Sequence, residues 1–213
     1  MKSNNKGVLF DLDGVLIDTE TQYSVFWGEI GEKYLGNREE FAARIKGSNL
    51  STILNNNFPD PDLQKEIVAQ LDDFQANMSY SIYPGVKEFI QQLVENDIPM
   101  CIVTSSDDRK MESLFMQQPY FKEAFNHIIT GDMVTKSKPD PECFLKGAEL
   151  IGVDISNCFV FEDSMQGIAA GIASGATVIA LDTTNSREAI SALTDNIISS
   201  FENFGVENMT QYK

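Results

Sequence analysis

At 213 residues the chain has room for one sizeable domain, or for a core carrying a small inserted domain. A hydrophobic fraction of 42% and a mean hydropathy of −0.19 are those of a soluble globular protein, and no run approaches the roughly 18 apolar residues of a membrane span. A net charge of −16 argues against nucleic acid or an anionic membrane as a partner, and an anionic substrate would need a local cation or a few placed basic residues to offset that field.

Met1 to Gly7 is polar and runs straight into a strand-like segment, without the apolar stretch of a signal peptide, so the expected compartment is the cytoplasm. Gly7-Val8-Leu9-Phe10 reads as a first strand, short and apolar on both faces as in a buried parallel sheet. From about Asp18 to Tyr80 the pattern turns helical: Tyr23, Phe26, Trp27 and Ile30, then Phe41 and Ile45, then Ile53 and Leu54, then Ile67, Val68, Leu71 and Phe74. No strand stands out there, and a helical domain inserted after the first strand explains the stretch better than a long loop. Pro84-Gly85 opens a helix with Val86, Phe89, Ile90, Leu93 and Val94 on one face. Strands follow at Pro99 to Thr104, His127 to Thr130, Cys158 to Phe161 and Thr177 to Leu181, with an edge strand at Asn196 to Ser199. Between them Asp140-Pro141 reads as an N-cap and first helical residue, Ser164 as another cap, and Asn185 with Glu188 as a capping box. The alternation predicts an α/β fold, a Rossmann-like parallel sheet formed by residues 1–17 and 81–213, with a helical cap at 18–80. Cys101, Cys143 and Cys158 are odd in number and widely spaced, as buried thiols would be.

Ligands of open α/β sheets bind beyond the carboxyl ends of the strands. Those ends carry Asp11-Leu12-Asp13-Gly14, Thr104-Ser105-Ser106, and Glu162-Asp163-Ser164, with Lys138-Pro139 in a connection between later elements. Two carboxylates two residues apart allow one to attack while the other moves protons, and Gly14 permits the tight turn that brings both inward. A second acidic pair on the same rim calls for a cation between them, and hard oxygen ligands suit Mg²⁺. Thr104 and Ser105 offer hydroxyl and backbone N–H donors near a helix start, a phosphate cradle. Lys138 is placed to neutralise Asp11 and a phosphate. Each cluster has a plainer reading: a solvated Asp-Gly turn, an acidic helix cap, a Ser or Asp cap, a solvated lysine.

Taken together, Phe10-Asp11-Leu12-Asp13-Gly14-Val15, Thr104, Lys138 and Glu162-Asp163 resemble, in order, the four signature motifs of the haloacid dehalogenase superfamily. Asp18-Thr19-Glu20, Tyr83-Pro84-Gly85 and Lys138-Pro139-Asp140-Pro141 resemble its β-phosphoglucomutase-like branch, which carries a helical cap after the first strand. The resemblance implies Asp11 as nucleophile forming an aspartyl-phosphate and Asp13 as acid and base. It implies Thr104 with the Ser105 backbone as phosphoryl ligands and Lys138 as charge stabiliser. It implies a Mg²⁺ site of Asp11, the Asp13 carbonyl, Asp163 and Glu162. An acid at Asp13 favours phosphatase or mutase over dehalogenase.

The resemblance also separates phosphatase from mutase. The β-phosphoglucomutase pattern has cap and core cations for a second phosphate; the corresponding places here read Tyr23, Leu50 and Asp107-Asp108, with Arg44, Arg109 or Lys110 as possible replacements. Hydrolysis of a small phosphorylated metabolite, such as a sugar phosphate, is therefore preferred, by a monomer, with Lys46 and Gly47 as candidate cap contacts to substrate. A phospho-aspartate signalling switch is disfavoured, because receiver domains carry that aspartate after the third strand. His127 is the only histidine and has no nucleophile motif beside it for a Ser-His-Asp triad.

Overall fold

The structure, a computed structural model, describes residues 6–46 and 48–212. A six-stranded parallel sheet is built from β1 (Gly7–Phe10), β4 (Met100–Val103), β5 (Ile128–Ile129), β6 (Cys158–Glu162), β7 (Thr177–Leu181) and β8 (Ile197–Ile198), in the order β5-β4-β1-β6-β7-β8. The predicted strands are all present: β1 and β7 match at both ends, β6 runs one residue further, and β4, β5 and β8 are one residue shorter at each end. A two-stranded antiparallel ribbon of β2 (Ile17–Asp18) and β3 (Ser81–Ile82) was not expected. It brings together the two points where the chain leaves and re-enters the sheet region.

Between those points run α1 (Glu20–Leu35), α2 (Glu39–Arg44), α3 (Leu50–Asn57) and α4 (Pro61–Asn77). The apolar residues that marked them as helical form a core of their own, with Phe41, Phe58 and Ile67 fully covered. Asn49 caps α3 by accepting from the Thr52 N–H at 2.9 Å, and Asp60 with Pro61 starts α4.

Helices α5 (Val86–Glu95), α6 (Asp108–Gln117), α7 (Pro119–Ala124), α8 (Glu142–Leu150), α9 (Met165–Ser174) and α10 (Arg187–Ile190) connect the sheet strands. Alternate strand residues feed opposite faces, as the two-residue period requires. Val8, Phe10, Ile102 and Phe161 join a cluster with Phe89, Phe125, Phe201 and Phe204 on one side. Leu9, Cys101, Val103 and Val160 join Cys143, Phe144 and Ile168 on the other. All three cysteines are buried free thiols. No helix among the described residues is long and apolar enough to cross a membrane.

Two caps differ from expectation by one residue. Helix α8 begins at Glu142 rather than Pro141, though Asp140 Oδ1 still accepts from the Glu142 N–H at 3.1 Å. Asn185 does not cap α10; Ser186 does, by accepting from the Ala189 N–H, and Asn185 is used elsewhere.

Candidate active site

Strand order reverses around β1, and the carboxyl ends of β1, β4 and β6 open there onto one cleft. The structure brings Asp11, Asp13, Thr104, Ser105, Glu162 and Asp163 to its core side. Tyr23, Trp27, Lys46 and Leu50 face it from the helical segment, and Gly47 lies outside the described residues. Side chains of the helical segment touch the core at Ser48–Gln166 (3.3 Å), Thr52–Ser137 (3.2 Å) and Asp72–Arg109 (2.6 Å), which holds the segment over the cleft.

Asp11 leaves β1 with its backbone still in register, its N–H donating to Phe161 O at 2.9 Å. Lys138 Nζ donates to Asp11 Oδ1 and to Glu162 Oε1, both at 2.6 Å, and to Val103 O at 3.3 Å. Burial works against the Lys138 charge, but Asp11 and Glu162 outweigh it and hold the ammonium above lysine's ordinary range. One lysine does not balance three or more carboxylates. Burial, with Glu162 and Asp13 adding like charge, pushes the Asp11 carboxyl up to about 8 despite Lys138.

Glu162 differs from expectation. Its Oε1 is taken by Lys138, and its Oε2 accepts from the Asp163 N–H (2.8 Å), the Ser164 N–H (2.8 Å) and the Ser164 hydroxyl (3.0 Å). With Lys138 on Oε1 and three donors on Oε2, it serves as the fixed partner of Lys138.

Asp163 is the opposite case. Its Oδ2 is buried without a hydrogen-bond partner, and burial together with Glu162 and Asp11 raises its carboxyl well above the usual range. An orphaned, hard, buried oxygen beside Asp11 fits a divalent cation. Among the described residues no three His, Cys, Asp or Glu side chains cluster closely enough to cage a metal alone. Mg²⁺ needs no such cage, because it keeps several waters and takes one or two carboxylates plus phosphate oxygen.

Gly14 makes this arrangement possible. Its φ of +77° suits glycine, and an added Cβ would overlap the Asp163 carboxylate. The loop after β7 braces the same region: Thr183 Oγ1 donates to Gly14 O at 2.5 Å and Asn185 Nδ2 to Asp163 O at 2.9 Å. The polar run Asp182-Thr183-Thr184-Asn185 at a strand end was the available signal for this loop.

Asp13 is held apart from Asp11. Thr19 Oγ1 donates to its Oδ1, Ser106 Oγ to its Oδ2 at 3.0 Å, and Lys110 Nζ to both. Thr104, almost fully buried, directly follows β4 with its N–H donating to Ile129 O at 2.9 Å, and its hydroxyl accepts from the Ser106 N–H at 3.0 Å. Asp107 caps α6 through the Lys110 N–H at 2.9 Å, which turns Lys110 inward beside Met111 and Leu114. A lysine on the buried stripe of a helix was the signal that sequence reasoning weighed only as a replacement charge. Of the other candidate cations, Lys46 pairs with Glu20 at 3.3 Å, Arg109 with Asp72 and Asp107, and Arg44 with Asn57.

Comparison with known proteins agrees with this geometry. Residues 5–175 match the model of the haloacid dehalogenase-like hydrolases. Hexitol phosphatase A of Escherichia coli is 31% identical over 186 residues, covering 83% of this chain and 83% of that protein. The bifunctional riboflavin kinase/FMN phosphatase of Arabidopsis thaliana is 28% identical over 226 residues, covering 97% of this chain, which spans only 56% of that longer protein. The crystal structure of β-phosphoglucomutase from Clostridium difficile superposes with a TM-score of 0.80 at 20% identity, over 97% of this chain and 96% of that one, a likeness of fold. The chain belongs to the haloacid dehalogenase-like hydrolase family, as a phosphohydrolase built on the fold it shares with β-phosphoglucomutase.

Proposed function

We propose that the chain hydrolyses a small, singly phosphorylated metabolite, such as a sugar phosphate, through a phosphoryl group carried on Asp11. The observation that carries this reading is the Lys138 ammonium bridging Asp11 and Glu162 at 2.6 Å each, with Asp13 held separately by Thr19, Ser106 and Lys110. One acid is paired and aimed, and the other is kept aside for proton transfer.

An Asp11 oxygen attacks phosphorus, forming an O–P bond as the bond to the alcohol oxygen breaks. That oxygen leaves with the proton of Asp13. Asp13, now ionised, accepts a proton from the water that attacks the same phosphorus. The Asp11 O–P bond then breaks, freeing phosphate and the carboxylate. The Thr104 hydroxyl and the Ser105 backbone hold the phosphoryl oxygens, and Lys138 offsets their charge. Asp11, Asp163 and the Asp13 carbonyl are the residues that would hold Mg²⁺. When bound, the cation supplies neutralisation of the phosphoryl oxygens. The helices of 18–80 cover the cleft as a cap and keep bulk water out.

Hydrolysis is preferred to phosphomutase chemistry because a mutase must grip a second phosphate with cations. Lys46, Lys110 and Arg109 already pair with carboxylates, and Leu50 lines the cleft where the mutase pattern has arginine. The sugar-phosphate assignment is supported by relatives such as hexitol phosphatase A. The purified protein should release phosphate from members of a phosphorylated-metabolite panel with Mg²⁺ and lose that activity with chelator. Efficient conversion of β-glucose 1-phosphate to glucose 6-phosphate, primed by the bisphosphate, would overturn the preference for hydrolysis.

A further inference from the structure

We propose that Lys110 is a positioning residue: clamped between the Tyr23 ring and both oxygens of Asp13, it fixes the acid/base and ties that orientation to the seating of the helical segment. This rests on the reading of Asp13 as acid and base.

Lys110 is 1% exposed, as deeply buried as the apolar residues around it. An ammonium is not carried into such a site without strong compensation. Its Nζ meets Asp13 Oδ1 and Oδ2 on one side and lies 4.2 Å from the Tyr23 ring centroid on the other. A cation over an aromatic face in a desolvated site is attracted to it. Thr19 and Ser106 complete the set around Asp13, and contacts from three directions fix its plane.

The clamp crosses the boundary between the two parts of the chain. Tyr23 lies on α1, and its hydroxyl accepts from Gln75 Nε2 of α4 at 3.1 Å. Lys110 and Ser106 belong to the sheet-bearing part. The neighbouring Arg109 ties the same turn of α6 to Asp72 of α4 at 2.6 Å. If the helical segment lifts, Tyr23 leaves Lys110 and the ammonium loses the wall that presses it onto Asp13. Productive alignment of the acid/base is then realised only with the segment seated, which links proton transfer to closure over substrate.

The test uses leaving groups. In a two-step transfer, kcat/KM reports steps up to release of the first product, and kcat also includes return of the nucleophile. 4-Nitrophenol leaves without a proton; phenol needs one. In Lys110→Met, kcat/KM for phenyl phosphate should fall about 100-fold while that for 4-nitrophenyl phosphate falls less than about threefold. kcat should fall for both, because attack by water needs Asp13 as base. Lys110→Met should add nothing to Asp13→Asn in the double variant, as expected for residues acting as a unit. Tyr23→Leu, which removes the ring and leaves the lysine, should show the same leaving-group signature more weakly, and it serves if Lys110→Met fails to fold. An equal fall in kcat/KM for both esters, multiplying effects in the double variant, or wild-type kinetics in Lys110→Met each overturn the inference. Wild-type kinetics in Asp13→Asn would instead overturn the functional reading beneath it.

Discussion

Gly167 allows the Glu162–Lys138 pairing to be disturbed without touching either residue. It is the third residue of α9, and an added Cβ would overlap Oε1, Cδ and Oε2 of Glu162. Restoring ordinary contact requires the carboxylate to move by roughly 1.5 Å or more. Glu162 cannot move that far and keep its bonds of 2.6 Å to Lys138, 2.8 Å to the Asp163 and Ser164 N–H groups and 3.0 Å to the Ser164 hydroxyl. Overpacking of this kind costs about 1–3 kcal/mol, which lowers Tm by about 2–12 °C for a chain of this size. Misplacing Lys138 relative to Asp11 should cost about 100-fold in kcat. Gly171 in the same helix is the control: its added Cβ would crowd Val178 Cγ2 (2.8 Å) and Val160 Cγ1 (3.1 Å), which lie in the core away from Lys138. Gly167→Ala and Gly171→Ala should therefore both lower Tm, and only the first should lose turnover of 4-nitrophenyl phosphate. Matching losses of activity in the two variants would refute the argument that Glu162 acts by holding Lys138.

Gly14→Ala forces a side chain onto a φ of +77° and against the Asp163 carboxylate, so the Mg²⁺ concentration for half-maximal activity should rise at least about tenfold. An unchanged requirement would remove Asp163 from the metal site. The raised carboxyls give a second outcome, read in the metal-free protein. The folded Asp11 titrates near 8 against an ordinary 3.8, so its contribution to stability is complete below about pH 4 and is lost as pH climbs towards 8. Asp163 is shifted in the same direction. The Tm of chelator-treated protein should fall between about pH 5 and 8, and saturating Mg²⁺ should flatten that fall. A Tm that rises with pH across this window without metal would contradict the assignment.

The chain announced most of this fold because its core strands are buried on both faces and its helices carry clear apolar stripes. Val8 to Phe10 and Cys158 to Phe161 read as strands for that reason, and Tyr23 to Ile30 as a helix. The β2–β3 ribbon was invisible because two residues per strand carry no period. Asn185 was misread because Ser186, one residue on, makes an equally good cap, and only the fold shows that Asn185 turns back to Asp163. Spacing placed Glu162 and Asp163 together but did not tell them apart: one points to Lys138 and the backbone, the other into an unpaired position. Lys110 was read only as a possible replacement charge, because its partner Asp13 lies 97 residues away in sequence.

The central claim is that Asp11 receives the phosphoryl group, and Asp13→Asn with 4-nitrophenyl phosphate tests it most directly. The leaving group needs no proton, but return of the nucleophile needs a base to take one from the attacking water, so mixing should release one equivalent of nitrophenol in a burst, followed by slow turnover. Mass spectrometry of acid-quenched protein should then find one phosphoryl group on the peptide carrying Asp11. A modification on another residue, or turnover that survives Asp11→Asn at the original rate, would contradict the claim.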